Sequence, residues 1–190
     1  MGTRSHAAAG EGVDDKELIA AVLAGEREAA RHLYERHAPR VYRLIYRVIG
    51  KPELAEEYTQ DTFVKVFRRL SQFRGDAAFT TWLHSVAMSS VLSGMRKLRR
   101  LRVRETELAE ASTMATRPMD GDPHLRERLQ TELERLPVRL RMPVVLHDVE
   151  GFTHREIAEM LGVPEGTSKA RLSEGRARLR TALAGIAAER

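Results

Sequence analysis

FTHREIAEMLGVPEGTSKARLSEGRARLRTAL, residues 152–183, is the most legible stretch of this 190-residue chain. Thr153 followed by Glu156 reads as a capping box, in which each side chain bonds the other residue's backbone N–H and opens a short helix. Gly162 closes that helix, because glycine adopts the left-handed C-terminal conformation without strain. Val163-Pro164-Glu165-Gly166 reads as the turn. A longer helix from about Glu165 then carries Ala170, Leu172, Ala177, Leu179 and Leu183. A short helix, a glycine turn and a longer basic helix make a helix-turn-helix pattern.

The helical period continues upstream. Leu125, Leu129, Leu133 and Leu136 mark a helix from about His124, and Pro137 opens another through Leu140 and Val144–Leu146 up to Gly151. Residues 105–123, ETELAEASTMATRPMDGDP, have weak periodicity and end in Pro118, Gly121 and Pro123, which reads as a linker. Fully extended, it spans up to about 65 Å. Before it, Asp14 with Glu17 predicts a capped helix that Gly25 ends. A helix from about Glu26 is expected to break or kink at Pro39. A third runs from Pro52 through Leu54, Tyr58, Phe63, Val66, Phe67 and Leu70. A fourth carries Phe79, Trp82, Leu83, Val86, Ala87, Val91 and Leu92. The predicted fold is all-α: a disordered tail (1–12), a helical domain (13–104), a flexible linker (105–123) and a second helical domain (124–190).

Composition narrows the function. Lys and Arg together number 32 against 27 acids, and 27 of the 32 are Arg. Arg forks onto phosphates and base edges, so a polyanionic partner is implied. The chain has no cysteine, which excludes disulfides, thiolate zinc sites and cysteine nucleophiles. No apolar run approaches the ~18 residues of a membrane span, and MGTRSHAAAG lacks the apolar core of a signal peptide. A cytoplasmic protein is expected.

Three features bear on chemistry. In a helix-turn-helix the second helix enters the major groove; its early residues here are Thr167, Ser168, Lys169 and Arg171, with Arg176, Arg178 and Arg180 beyond. Aromatic Phe79 and Trp82 precede a basic run of Arg96, Lys97, Arg99, Arg100, Arg102 and Arg104. Aromatics beside cations can stack unpaired bases, although aromatics at helical spacing also read as core. Glu53, Glu56, Glu57, Gln60 and Asp61 form an acidic face that suits either a basic partner surface or the helix dipole. His147, Asp148, Glu150, His154 and Glu156 are metal-binding types without metalloprotease spacing. Neither a phosphate loop nor a catalytic triad is legible, so no catalytic, cofactor or metal residue is assigned.

These segments, in this order, resemble the bacterial extracytoplasmic-function (ECF) sigma factors of RNA polymerase. The opening helices of 15–50, PELAEEYTQDTFVKVFRRL, FRGDAAFTTWLHSVA with Met95-Arg96-Lys97, and LPVRLRMPVVLHDVEGFTHREIAEMLGVPEGTSKARLSEGRARLR carry the resemblance over about 165 residues. It implies a non-enzymatic subunit of core RNA polymerase that recognises promoter DNA and answers to an anti-sigma factor. The first domain would hold the minus-ten element and melt it, with Phe79, Thr81, Trp82, Ser89, Arg96, Lys97, Arg99 and Arg100. Glu57, Gln60, Asp61 and Phe63 would face the polymerase. Thr167, Ser168, Lys169, Arg171 and Arg176 would read the minus-thirty-five element. The family often has Ala-Arg-Asn where Ala87-Met88-Ser89 stands, an acid at Ser93, valine at Ser168 and a base at Glu174, so Met88, Ser89 and Ser93 are expected to remove polar or charged groups that face DNA or cap the neighbouring loop. An autonomous helix-turn-helix regulator and an enzyme at the His147–Glu156 cluster are the rival readings.

Overall fold

The computed structural model describes residues 14–104 and 123–187. The tail 1–12 and, apart from Pro123, the linker 105–123 lie outside the described residues. Every regular element among the described residues is helical: α1 (Asp15–Leu23), α2 (Arg27–Ile49), α3 (Pro52–Arg69), a 3-10 turn (Leu70–Gln72), α4 (Phe79–Arg104), α5 (Pro123–Arg135), α6 (Val138–Val144), a π-helical turn (Val145–Val149), α7 (His154–Leu161) and α8 (Glu165–Ala187).

Three local expectations are corrected. Asp14 stands at the N-cap of α1, but its side chain makes no capping bond. Pro39 does not break α2, which runs unbroken through it. The proline removes one bond, to the carbonyl of exposed Glu35, which water can satisfy; the interruption costs ~3 kcal/mol. Against it, α2 buries Leu33, Val41, Leu44, Ile45 and Val48, each contributing about 1.5–3 kcal/mol. Burial wins. The single helix expected from Pro137 to Gly151 is instead α6 followed by a wide turn. Pro143 lies inside α6 and cannot donate to the carbonyl four residues back. Just beyond it the chain widens, and the Glu150 N–H donates to the Val145 carbonyl at 3.1 Å.

The two halves do not stand apart. One core joins Leu33, Leu44, Ile45, Leu83 and Met88 of the first half to Met142, Val145, Leu146, Phe152 and Ile157 of the second. A smaller core of Leu133, Leu136, Val144, Leu172 and Leu179 lies wholly in the second. Three contacts stitch the seam, two of them polar. Arg141, 5% exposed, donates at 3.0 Å to the Val48 carbonyl, at 3.0 Å to that of Leu136, and to that of Glu134. These carbonyls lie at the C-terminal ends of α2 and α5, where intrahelical donors run out. One buried guanidinium therefore satisfies two helix ends. Gly50 makes the approach possible. Its φ is +74°, and a Cβ there would sit 2.9 Å from the Glu134 side chain. Glu150, its carboxylate almost fully buried, accepts from Arg47 at 3.2 Å and Arg40 at 3.4 Å.

The third contact is apolar on one side and unsatisfied on the other. His84 of α4 meets the Phe152 ring edge-on, centroids 5.5 Å apart. It is 1% exposed, and neither ring nitrogen has a hydrogen-bond partner. Burial pushes its pKa down to about 4, with Glu150 opposing and Arg40 and His37 reinforcing. The unfolded chain thus binds the proton between about pH 6.5 and 4 where the folded chain refuses it. Stability is fully present above pH 6.5 and falls as pH drops towards 4. A thermal melt series from pH 7.5 to 4.5 should show the wild-type midpoint falling more steeply than that of His84→Leu. Parallel curves for the two proteins would mean that His84 is already protonated or solvated.

Candidate nucleic-acid interface

The helix-turn-helix forms as its residues dictate. The Thr153 hydroxyl accepts from the Glu156 N–H at 3.3 Å, and the Glu156 carboxylate accepts from the Thr153 N–H at 2.8 Å. That backbone bond and the Thr153 hydroxyl hold the Glu156 carboxyl below its usual range. Gly162 ends α7 in the left-handed conformation at φ +63°. Helix α8 then crosses α6 at Gly175, where a Cβ would lie 2.7 Å from Val144. A larger residue at 175 would push α8 off α6.

Along α8 the buried side is the row Ser168, Leu172, Gly175 and Leu179. Ser168 is fully buried and its hydroxyl lies 3.2 Å from His154 Nδ1. It packs under the motif and does not face a groove, contrary to the sequence expectation. The signal was present: residue 168 stands one turn before Leu172 on the apolar row. Lys169 is exposed and Thr167 and Arg171 are half-buried, so these three keep access. Three α8 cations are paired with carboxylates: Lys169 with Glu165 at 2.7 Å, Arg178 with Glu174 at 2.7 Å, and Arg176 with Asp148 through two bonds. A DNA backbone must compete with those acids for the same cations.

The His147–Glu156 group is brought close but spent on other tasks. The rings of His147 and His154 stack at 4.8 Å despite Gly151 between them. His147 Nδ1 lies 2.7 Å from the Phe152 carbonyl. Desolvation, then the His147 ring, holds the His154 imidazole below its usual range. Asp148 binds Arg176, Glu150 binds Arg40 and Arg47, and Glu156 caps α7. Among the described residues no three His, Asp or Glu side chains converge on a metal position.

In the first half, an aromatic cluster stands at the N-terminal end of α4. Phe73, Phe79 and Trp82 lie 5.5–5.8 Å apart, ring centre to ring centre. Phe79 is buried, touching His37 at 5.2 Å; it supports the cluster from beneath and is not open to a base. Trp82 and Thr81 are half-buried, and Ser89, Arg96 and Lys97 are exposed further along α4. Arg99 and Arg100 lie on the same helix. Met88 is fully buried, so it removes nothing from the exposed face; of the three departures only Ser89 and Ser93 are exposed.

The acidic face of α3 presents Glu57, Gln60 and Asp61 to solvent. Phe63 is corrected: it is buried, its ring edge-on to Tyr34 at 4.8 Å. The apolar member of the exposed face is Val64, 49% exposed and one turn beyond Asp61 and Gln60. Its i, i+3, i+4, i+7 relation to Glu57 was readable from sequence.

Known proteins place these parts. A model of sigma-70 region 2 matches residues 33–101, and one of sigma-70 region 4 matches residues 126–179. The ECF RNA polymerase sigma factor SigM of Mycobacterium tuberculosis is 36% identical over 166 residues, 87% of this chain and 82% of that protein. SigE of Mycolicibacterium smegmatis is 36% identical over 161 residues, 83% of this chain and 62% of that longer protein. Among solved structures, CnrH in complex with the cytosolic domain of CnrY is 26% identical with a TM-score of 0.60, covering 90% of this chain and 97% of that one. The sigma factor RpoE of Bartonella quintana, in complex with the anti-sigma factor NepR, has a TM-score of 0.70 at 24% identity, over 80% and 95% of the two chains.

The competition between acids and DNA for the α8 cations is measurable. Exposed ion pairs contribute about 0.2–1 kcal/mol, so Glu174→Gln should tighten binding of the full chain to duplex DNA by up to about fivefold. Ser168→Val should leave that affinity unchanged. Fluorescence anisotropy at low salt separates the two; a large loss with Ser168→Val would return residue 168 to the groove.

Proposed function

The chain belongs to the family of ECF RNA polymerase sigma factors, and on that premise we propose that it binds core RNA polymerase, directs promoter-specific transcription initiation and answers to an anti-sigma factor. The observation that carries this is the coexistence, on one chain and in family order, of an aromatic cluster leading into a basic helix and a helix-turn-helix. Relatives named as sigma factors direct transcription and are not named as enzymes. We assign no catalytic centre, cofactor or resident metal; the polymerase supplies the chemistry. Its place of action is the cytoplasm, with the chromosome. Among the described residues no helix is long and apolar enough to cross a membrane.

The roles divide by domain. Residues 124–190 form the duplex reader, with Thr167, Lys169 and Arg171 at base edges and phosphates of the minus-thirty-five element. Arg can pair bidentately with guanine O6 and N7. Residues 13–104 form the melting domain. Trp82, with Thr81 beside it and Phe79 and Phe73 behind it, offers a stacking face to a base leaving the duplex. Ser89, Arg96, Lys97, Arg99 and Arg100 lie along α4 to track the strand. Unstacking costs a few kcal/mol, and the anchoring of the second domain on the duplex offsets it once polymerase holds both. Glu57, Gln60, Asp61 and Val64 form the face for polymerase, acids around one apolar contact. The linker 105–123 supplies the reach between the domains.

Run-off transcription with purified core RNA polymerase and genomic fragments tests the reading. New discrete start sites should appear only with this chain present. Arg171→Ala should cost ~1–3 kcal/mol of promoter affinity, visible in closed-complex binding. Trp82→Ala should leave closed-complex binding intact and reduce permanganate reactivity of the melted strand. No new start sites, together with no co-elution with core polymerase, would defeat the reading in favour of an autonomous regulator.

A further inference from the structure

We propose that DNA binding by the helix-turn-helix takes up a proton at the stacked His147–His154 pair, so that His154 meets a backbone phosphate as an imidazolium. This contact rests on the promoter reading above and adds to it a residue that the reading does not use. Each ring has one nitrogen committed and one open. His147 Nδ1 lies 2.7 Å from the Phe152 carbonyl. A carbonyl only accepts, so Nδ1 carries the proton and Nε2 the lone pair. His154 Nδ1 lies 3.2 Å from the buried Ser168 hydroxyl. A hydroxyl both donates and accepts, so it serves His154 in either charge state. Among the described residues nothing bonds Nε2 of either ring. The rings are nearly parallel, 20° between planes and 4.8 Å between centres. Two positive charges at that spacing repel, so the pair holds one added proton at most, and that proton belongs to the pair until a partner fixes it on one ring.

The surrounding charges favour His154. Desolvation first, then His147, Lys169 and Arg176, hold its imidazole below the usual range, with Glu165 opposing. Lys169, Arg176 and Glu165 all stand on α8. The other charged neighbours are engaged elsewhere. Asp148 is bonded to Arg176, and Glu150 of the same turn to Arg40 and Arg47 of α2. Arg141 of α6 is held by three carbonyls. On α7, Arg155 pairs with Glu159 and Glu156 bonds Thr153. Helix α4 packs on α7 and brings His84 against Phe152; burial pushes that ring down to about 4, so it stays neutral. The charges that keep a proton off His154 in the free chain are thus the α8 cations that gather phosphates. His154 opens α7, the helix that crosses the DNA backbone in this motif. A phosphate arriving there offsets Lys169 and Arg176 and favours the imidazolium, so binding raises the His154 pKa and takes a proton up. Affinity for duplex is flat above the bound-state pKa, rises as pH falls through it, and levels off below the free-state pKa.

The test compares the full wild-type chain with His154→Asn, whose amide replaces the Nδ1 partner of Ser168 and cannot titrate. Fluorescence anisotropy on a labelled duplex is read between about pH 8 and 5.5, the range of histidine titration. Lys169 holds the Glu165 carboxyl below its usual range, so it stays charged throughout, and subtracting the variant removes the other histidines. As pH falls, wild type should gain about three- to tenfold in affinity relative to His154→Asn, one pKa unit being tenfold. At the acid end the slope of log K against log salt should steepen by up to about 0.9 in wild type alone, the value of one added phosphate contact. An NMR titration of the His154 ring in the wild-type chain, without and with duplex, reads the uptake directly and needs no variant to fold; duplex should raise the midpoint. His147→Asn keeps a donor for the Phe152 carbonyl and removes the repelling ring, so the His154 midpoint of the free chain should rise and the affinity gain should begin at higher pH. Equal pH profiles for wild type and His154→Asn, or a His154 midpoint that duplex leaves in place, overturns the proton-linked contact. Absence of duplex binding at every pH defeats the promoter reading, and the contact falls with it.

Discussion

Everything in this molecule hangs from one buried guanidinium. Arg141 sits inside an otherwise apolar run and bonds the last carbonyls of two helices from different halves of the chain. Burial pulls its pKa down, with Glu134 opposing, yet a guanidinium stays charged in a protein. A buried charge with three carbonyl acceptors is tolerable because carbonyls at helix C-termini carry the negative end of the dipole. Remove the side chain and both helix ends lose their donor in a site closed to water. Gly50, the left-handed C-cap of α2 at φ +74°, lies beside this cluster, where a Cβ would crowd the Glu134 side chain at 2.9 Å.

The same arrangement decides how much of the fold was legible. The helix-turn-helix was readable in its elements and caps, because its capping box and its left-handed glycine are local signals; its buried row was not, since Ala170 and Ala177 are exposed and Ser168 and Gly175 take buried positions. Helices α3 and α4 announced themselves through apolar spacing. What failed was non-local. Pro39 predicts a break from propensity alone, and only the burial of α2 along its length overrides it. The π-helical turn follows Pro143 but depends on packing against the first half. The seam left only an indirect mark in sequence: an arginine in LPVRLRMPVVL, a histidine in an aromatic helix, and a glutamate before a glycine. None of these states its partner.

The candidate site was legible in its outline and less so in its orientation. Phe63, Phe79 and Ser168 are buried and do not share a face with the exposed residues beside them in sequence. Helical rows separate them: Phe63 lies with Thr59 and Val66, Phe79 points at His37, and Ser168 continues the row of Leu172 and Leu179. Residue 168 is a core position on that row, and the Ser168 hydroxyl lies 3.2 Å from His154 Nδ1. Met88 is explained the same way. An arginine there would have to leave the core, so the methionine is a packing choice, and the exposed departures reduce to Ser89 and Ser93.

Charge distribution links these faces to their partners. The reading helix is basic by composition, yet Glu165, Glu174 and Asp148 hold Lys169, Arg178 and Arg176 in ion pairs. Each pair is exposed and worth little alone, but together they lower the field that duplex DNA meets, and counterion release is the main source of nonspecific affinity. Thr167 and Arg171 lie outside those three ion pairs. Two modest contacts on one tether add through effective concentration only when both can be made at once, and a subunit that depends on a large partner to set their spacing will occupy promoters only in that partner's company.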